Sequence, residues 1–324
     1  MYDWDMNNDE FRFKEQCEYV PVIENKEKLG NYTRFVVMGM GGSNIAAEFI
    51  KAVDPLCDIT IHRDYGVPFY LKNDGNTLIV ISSYSGNTEE TLDAYRVARE
   101  KEFPIVVITQ GGELLSWAQE DYVPYIALPH IVDHPRMAVI LSLKALCACI
   151  KNTKALEEIK KCGTIDFKAC EFKGRELAEL LRDKVPLIWS SLRSKGIGYF
   201  WKIHCNETAK IPAFSNILPE ATHNEIEQWD NQKNHLVQNM YPIILVDAHD
   251  DPRIVKRFEI VKALYEEHNI AFSLIEMKED EFLPSLIGLI AVGAYMAWNL
   301  GEYYAVDQRR VPLIENLKQQ LKEK

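Results

Sequence analysis

Short apolar runs that alternate with segments of helix length constrain the fold of this chain more than any other feature. In the first half, each run is short enough to be a buried strand and is separated from the next by room for a helix. The runs are Phe35–Met38, Ile59–His62, Leu78–Ser82, Ile105–Thr109 and Tyr122–Leu128. Because strands that alternate with helices pair in parallel through right-handed crossovers, this rhythm predicts a doubly wound α/β sheet.

The rhythm restarts in the second half of the chain. A strand is predicted at Val185–Trp189, followed by a turn and a helix over Ile197–Lys210, and two more strands are predicted at Ile243–Val246 and Phe272–Ile275. The chain ends in a predicted helix over Leu313–Leu321. The second half therefore resembles the first in topology, although the two share no visible residue identity.

A charged segment without strand signals separates the two halves. A length of 324 residues suits about two domains. The predicted organisation is two tandem doubly wound parallel-sheet domains of flavodoxin-like type with a C-terminal helix. The first domain, with a leading helix, spans 1–152, a linker region spans 153–175, and the second domain with its helical tail spans 176–324.

Composition excludes several classes of protein. The formal net charge of −11 disfavours general binding to nucleic acid or anionic membranes, since such a surface repels phosphate backbones. The seven cysteines contain no Cys-x-x-Cys pair, which favours reduced thiols over a disulfide or zinc framework. Met1–Asp5 begins no export signal, and the apolar stretch Leu286–Leu300 is shorter than the roughly 20 residues of a membrane span, so a cytoplasmic protein is expected.

Two strand-to-helix turns indicate binding of a small anion. Gly39-Met40-Gly41-Gly42-Ser43 offers glycines that allow a ligand to approach the backbone. The turn 82–88 offers four hydroxyls, and Asn87 is predicted to cap the next helix in a capping box with Glu90. A helix N-terminus attracts negative charge, so both turns suit a phosphate. The alternative is that any parallel βα unit needs glycines and a polar cap, although four hydroxyls are more than a cap requires.

These motifs together resemble the sugar isomerase (SIS) domain, a family of phosphosugar-binding doubly wound folds. The turns match neither a phosphate-binding Walker loop nor the full dinucleotide fingerprint, because the lysine and the third glycine are missing.

Two polar elements of the second half are candidates for catalysis. Pro212 is predicted to stop a helix and to leave Glu207 in its last turns, where a carboxylate meets the negative end of the helix dipole, an environment that favours a general base. Thr222 and Glu225 have capping-box spacing, which predicts that His223 begins a helix and stays neutral and able to accept a proton. The alternatives are a solvated glutamate paired with Lys210 and a histidine with a surface role.

The spacing of these elements resembles the bifunctional phosphoglucose/phosphomannose isomerase family, itself built from tandem SIS domains. The resemblance rests on Asn206–Phe214 and Pro219–Ile226 and covers nearly the whole chain. It implies that Glu207 moves a proton between C1 and C2 of the sugar and that His223 opens the ring. It also implies a role for the lysine of the terminal Pro-x-Ile-x-x-Leu-Lys element, which is Lys318 here.

The same resemblance implies the rest of the site. Arg136 would lie near the substrate hydroxyls and the developing enediolate, and no cofactor or metal is expected. A homodimer is expected in which the histidine reaches the active site of the neighbouring subunit. The residues implied to hold the phosphate of the hexose 6-phosphate are Gly41, Gly42, Ser43, Ser83, Ser85 and Thr88.

One position departs from the family pattern. Where the family often has threonine before Pro312, this chain has Val311, which leaves space for the C2 epimer but cannot hydrogen-bond. Activity on mannose 6-phosphate is therefore less secure than activity on glucose 6-phosphate. Two alternatives remain open: a phosphosugar sensor without catalysis, for which no basic DNA-reading appendage is found, and an isomerase of another phosphosugar.

Overall fold

The computed structural model describes residues 10–277 and 282–322, so Met1–Asp5 lies outside the described residues. The chain divides into two compact units. The first comprises Met1–Asp166 and Asp280–Gly288, and the second comprises Phe167–Glu279 and Leu289–Lys324.

The first unit is built on a parallel sheet of five strands in the order β2-β1-β3-β4-β5, the order of flavodoxin-like folds. The strands are β1 (Arg34–Met38), β2 (Asp58–His62), β3 (Thr77–Ser83), β4 (Ile105–Thr109) and β5 (Tyr125–Ala127). The helices are α1 (Phe13–Glu18), α2 (Gly42–Val53), α3 (Glu89–Glu100), α4 (Gly112–Glu120), α5 (Val139–Cys149) and α6 (Thr153–Lys161).

The core of this unit explains why these segments become strands. Every residue of β3 and β4 is buried, as expected for strands covered on both faces. On one face of the sheet, Val36, Ile79 and Val107 belong to one hydrophobic cluster with Tyr95 of α3 and Leu114 of α4. Burial of such side chains is the main force that holds the helices on the sheet.

The second unit repeats this plan with a parallel sheet in the order β7-β6-β8-β9. The strands are β6 (Val185–Ser191), β7 (Phe214–Leu218), β8 (Met240–Asp247) and β9 (Ser273–Met277). The helices that lie wholly in this unit are α7 (Phe167–Leu180), α8 (Lys195–Glu207), α9 (His235–Gln238), α10 (Pro252–Glu267) and α12 (Pro312–Lys322). The prediction of two doubly wound α/β folds with a C-terminal helix is therefore confirmed.

Strand β7 was not among the predicted strands. It is the edge strand of its sheet, and its side chains alternate between exposed and half-buried positions. A strand that pairs on one side only needs few apolar residues, so Phe214–Leu218 carries little hydrophobic signal. Helix α8 also ends three residues before the predicted end at Lys210, which has a left-handed φ of 59°.

Helix α11 (Phe282–Tyr303) has the length and apolar character of a membrane span. Most of its residues are buried inside the protein, as in a core helix. The prediction of a buried helix over the apolar stretch at 286–300 is therefore confirmed. The charged segment at 153–175 is also largely helical, since it contains α6 and the first part of α7.

Candidate active site

Glycines bring the first turn close to two other segments of the first unit. At Gly39, which follows β1, a Cβ atom would lie 2.6 Å from the backbone oxygen of Ser82. At Gly42, the first residue of α2, a Cβ atom would lie 3.0 Å from the backbone nitrogen of Arg136. Gly41 between them has a φ of 51°, which favours glycine. The turn therefore packs against the end of β3 and against the turn that carries Arg136.

Ser43 joins the two predicted phosphate-binding turns by hydrogen bonds. Its Oγ accepts the backbone N–H of Tyr84 at 3.1 Å. Its backbone oxygen accepts the hydroxyl of Ser82 at 2.8 Å. Because strands β1 and β3 are adjacent and parallel, the turns at their carboxyl ends meet at one edge of the sheet.

The second turn presents hydroxyls and the N-terminus of α3. Ser83 Oγ and Thr88 Oγ1 lie 2.9 Å apart, and Ser83 Oγ also accepts the N–H of Gly86 at 3.2 Å. Ser85 is exposed, and its Oγ accepts the N–H of Asn87 at 3.3 Å. The first N–H groups of α3 have no partner within the helix, which makes this edge suitable for an anion.

The prediction that Asn87 caps α3 is wrong. Thr88 occupies the N-cap position, and no side chain makes a cap hydrogen bond there. The Asn87 side chain instead turns to the next helix, where its Oδ1 accepts the N–H of Glu113 at 3.0 Å. A long-range partner therefore replaces the local one.

Behind the first turn lies a polar network that sequence reasoning missed. Asn44 donates to the backbone oxygen of Gly39 at 2.5 Å, and Arg63 donates to Asn44 Oδ1 at 3.2 Å. Arg63 also forms an ion pair of 2.9 Å with Glu48, whose side chain is 6% exposed. Glu48, which stands between the apolar runs Ile45–Ala47 and Phe49–Ile50, was the available signal, since buried charges are normally paired.

Arg136 is buried, with 3% relative exposure. It lies in a tight turn before α5, where the N–H of Met137 donates to His134 O and the N–H of Ala138 donates to Pro135 O. Burial in a turn that touches Gly42 sets Arg136 apart from an ordinary surface arginine at a helix start.

In the second unit, Glu207 lies in the last turn of α8, as predicted; it is the final residue of the helix and is half-buried. The ammonium group of Lys210 donates to the backbone oxygen of Glu207 and, at 2.6 Å, to that of Arg310. The end of α8 is thus bonded to the segment that precedes α12.

Val311 and Lys318 lie on that segment and on α12. Val311 is half-buried, and Lys318 is exposed. Val311 helps to line a cavity of about 480 Å³ whose walls include Asn206, Lys210 and Arg310. A cavity of this volume is within the range of small-molecule sites.

The prediction that His223 begins a helix is wrong. His223 is the last residue of a short 3-10 helix over Glu220–His223, and it is exposed. Thr222 donates its hydroxyl back to Pro219 O at 2.6 Å rather than capping a helix. His223 therefore does not lie at the N-terminus of a helix.

His223 and Glu207 lie at opposite ends of strand β7 in the second sheet. Glu207 ends the crossover helix that leads into β7, whereas His223 follows the carboxyl end of β7. A five-residue strand spans about 15 Å. Lys210 and Val311 lie at the same end of β7 as Glu207, because the ammonium group of Lys210 bonds the backbone oxygen of Glu207 and that of Arg310, the residue before Val311.

No group of three or more His, Cys, Asp or Glu side chains within 10–277 and 282–322 is arranged to hold a metal ion. His130, one of two histidines with helical spacing in the sequence, lies outside any helix and contacts Gln110.

Comparison with known proteins gives one consistent family. A family profile described as the bacterial phospho-glucose isomerase C-terminal SIS domain matches residues 171–321. The bifunctional phosphoglucose/phosphomannose isomerase of Caldicellulosiruptor bescii is 30% identical over 314 residues, which cover 91% of each chain.

Two further comparisons extend this result. The D-glucosamine-6-phosphate 4-epimerase of Sulfolobus acidocaldarius is 30% identical over 234 residues, which cover 70% of this chain and 71% of that protein. The crystal structure of a hypothetical protein from Thermus thermophilus superimposes with a TM-score of 0.72 at 16% identity, over 97% of this chain and 87% of that one. That likeness shows the fold alone. The match of the Caldicellulosiruptor protein along nearly its whole length decides the family, and with it the enzyme class: this chain is an isomerase and belongs to the bifunctional phosphoglucose/phosphomannose isomerase family.

Proposed function

We propose that this enzyme interconverts glucose 6-phosphate, and also mannose 6-phosphate, with fructose 6-phosphate. The observation that carries the proposal is the joining of two hydroxyl- and glycine-rich turns by Ser43 at one edge of the first sheet. This arrangement supports phosphate binding because backbone N–H groups, hydroxyls and a helix N-terminus converge there. The proposed ligands of the phosphate are Gly41, Gly42, Ser43, Ser83, Ser85 and Thr88.

The proposed chemistry uses protein side chains only and needs no metal. His223 and Lys318 transfer the proton that opens the sugar ring. Glu207 then takes the proton from C2, giving a cis-enediol, and returns it to C1 to form the ketose. Rotation about C2–C3 before the proton returns admits mannose 6-phosphate. Arg136 stabilises the negative charge that builds on oxygen, as a buried cation does more strongly than a solvated one.

The first experiment measures the reaction directly. Purified protein treated with a chelator is offered glucose 6-phosphate and mannose 6-phosphate separately, and fructose 6-phosphate is quantified. Turnover of glucose 6-phosphate is expected both before and after the chelator is added. Absence of turnover in both samples would refute the proposed reaction, and loss of turnover only in the chelated sample would refute the metal-free mechanism.

The base is tested by Glu207→Gln, which keeps the shape of the side chain and removes its basicity. We expect kcat to fall by about 10²- to 10⁴-fold, the usual contribution of a general base. Glu267→Gln is the matched control, because Glu267 is also the last residue of a helix in the same unit and is exposed. Near-normal turnover of the Glu207 variant would make the assignment wrong.

We further propose that the enzyme is a homodimer in which each active site receives His223 from the other subunit. The support is that Glu207 and His223 of one chain lie at opposite ends of β7. Their separation exceeds the length of a hydrogen bond by about 10 Å or more. A second copy is a simple source of an imidazole for the edge where Glu207 lies.

Complementation between inactive variants distinguishes the two arrangements. A hybrid dimer of Glu207→Gln and His223→Ala subunits contains one intact site only if the histidine comes from the partner. Recovery of activity on mixing or co-expression is therefore expected. If the mixture stays inactive while dimers form, the histidine acts within its own chain, and a monomer in sedimentation experiments would reject the dimer.

A second phosphosugar substrate is favoured by one comparison, the 4-epimerase relative named above. Glucosamine 6-phosphate is therefore the informative additional substrate in the same assay. Conversion of it without conversion of glucose 6-phosphate would replace the proposed reaction, and binding without any turnover would indicate a phosphosugar sensor. A cytoplasmic location accords with substrates of this class and is part of the same proposal.

A further inference from the structure

Lys210 has a backbone conformation that lysine rarely adopts. Its φ is 59°, in the left-handed region where glycine is favoured. On either side of it, the N–H of Ala209 donates to His204 O and the N–H of Ile211 donates to Cys205 O, so the chain turns sharply over the end of α8. Glycine would make this turn with less strain, so the presence of lysine at this position suggests a role for its side chain.

The side chain bonds two separate elements. Its Nζ donates to the backbone oxygen of Glu207, one of the last carbonyls of α8, which have no N–H partner within the helix. The same Nζ donates to the backbone oxygen of Arg310 at 2.6 Å. One ammonium group therefore ties the helix end that carries Glu207 to the turn before α12.

That turn is itself held in a fixed shape. Asp307 Oδ1 accepts the N–H of Arg309 at 2.9 Å and that of Arg310 at 3.1 Å. The N–H groups of Arg310 and Arg309 keep the pKa of the Asp307 carboxyl below its ordinary value, and the nearby charge of Lys210 acts in the same direction. The carboxylate is therefore charged at neutral pH and keeps both bonds.

The turn is also joined to the terminal helix. Glu315 of α12 accepts the N–H of Val311 at 3.4 Å and pairs with the guanidinium of Arg310 at 3.2 Å. Displacement of the turn would therefore move Val311 and the start of α12 together.

We infer that Lys210 is a positioning residue that fixes the carboxylate of Glu207 relative to Val311, the side chain that the family resemblance implies to lie near C2 of the sugar. The inference rests on the proposed function, because it assumes that Glu207 is the base. Without the ammonium group, these two bonds between the end of α8 and the 307–310 turn are lost. A shift of about 1 Å at a reacting group is enough to slow a reaction by about 10²-fold.

The test is Lys210→Gly, which relieves the left-handed backbone and removes the two bonds of the ammonium group together with its charge near Asp307. Lys151→Gly is the matched control: Lys151 has a φ of 60°, and its Nζ donates to Gly30 O at 3.0 Å and to Asn31 Oδ1 at 2.5 Å. Those partners precede β1 at the opposite edge of the first sheet from the phosphate-binding turns.

For Lys210→Gly we expect kcat to fall by about tenfold or more, with KM changed by less than about threefold because the phosphate contacts are untouched. The ratio of kcat/KM for glucose 6-phosphate and mannose 6-phosphate should shift as well. Lys151→Gly should keep the wild-type kcat and ratio, and Lys210→Arg should recover part of the loss.

Three results would overturn the inference. Wild-type kcat and substrate ratio in Lys210→Gly would show that the tether has no role, although the proposed function would stand. An equal loss of kcat in both glycine variants, parallel to a loss of melting temperature, would show a general structural role. Wild-type protein without fructose 6-phosphate turnover would refute the proposed function itself, independently of either variant.

Discussion

Replacement of Ser43 by alanine tests the phosphate-binding turns most directly. Ser43 and Tyr84 are both buried, with 7% and 4% relative exposure, so water cannot readily replace the hydroxyl. The variant removes the acceptor of the Tyr84 N–H at 3.1 Å but keeps the Ser82 bond to the Ser43 backbone oxygen. It therefore removes one of the two bonds that join the turns.

The expected magnitudes follow from these contacts. A buried N–H left without an acceptor costs about 1–3 kcal/mol of folding free energy. At roughly 2–4 °C per kcal/mol, the melting temperature should fall by about 2–12 °C. Loss of a hydroxyl that binds a charged phosphate costs about 1.5–3 kcal/mol of binding, which weakens affinity by about 10- to 150-fold.

Two assays separate these effects. Calorimetric titration with fructose 6-phosphate gives the affinity, and thermal unfolding gives the stability. Ser116→Ala, an exposed serine of α4, is the control and should change neither. Because the phosphate is common to both substrates, the ratio of activities on glucose 6-phosphate and mannose 6-phosphate should not change. Wild-type affinity in Ser43→Ala, with the expected loss of stability, would refute the role of this turn in phosphate binding.

Three further predictions concern specificity, the polar network and pH. Val311→Thr introduces a hydroxyl and should raise the ratio of kcat/KM for mannose 6-phosphate to that for glucose 6-phosphate. One hydrogen bond should change the ratio by about two- to tenfold in steady-state assays. An unchanged ratio would contradict a role of residue 311 in specificity. Arg63→Met removes the bonds to Asn44 and Glu48 and should raise KM by about threefold or more with kcat nearly unchanged. Arg63→Lys should raise KM less. Equal KM values in the wild type and both variants would contradict a role of this polar network in substrate binding. Burial raises the pKa of Asp250 from 3.8 to about 6, so the folded state holds this proton more tightly than the unfolded state. Stability that is present near pH 4 is therefore lost as the pH rises through about 6, and Asp250→Asn should melt higher than wild type at pH 8 but not at pH 4.

Local sequence identified most of the strands because their signal is local. The strands β1, β3, β4 and β6 each contain a run of consecutive apolar residues, since the middle of each strand is buried on both faces. Strand β7 escaped detection because it is an exposed edge whose pairing with β6 is made by backbone groups, and these groups are the same in every residue. Its existence depends on the neighbour rather than on its own side chains.

The polar residues divide in the same way. The hydroxyls of the second turn and the glycines of the first were recognisable as residue types. The place of Glu207 near the end of α8 followed from the proline beyond it, although the helix was predicted to run on to Lys210. The partners of Asn87 and Lys210 were not predictable, because the sequence offers each side chain several local partners and the fold supplies a distant one. The prediction that His223 begins a helix failed for a related reason. Capping-box spacing shows which side chains could cap a helix if one formed there, but it does not make the helix form.

The periodicity of apolar residues determined the doubly wound architecture, and short motifs carried the two predicted phosphate-binding turns and the resemblance to the family of this protein. Those properties depend on periodicity and on short motifs, which operate over a few residues. The tertiary structure alone decided that Ser43 joins the turns, that Arg63 supports them, and that Glu207 and His223 lie at opposite ends of strand β7. These relations join residues that lie far apart along the chain, and only the packing of strands and helices sets their distances.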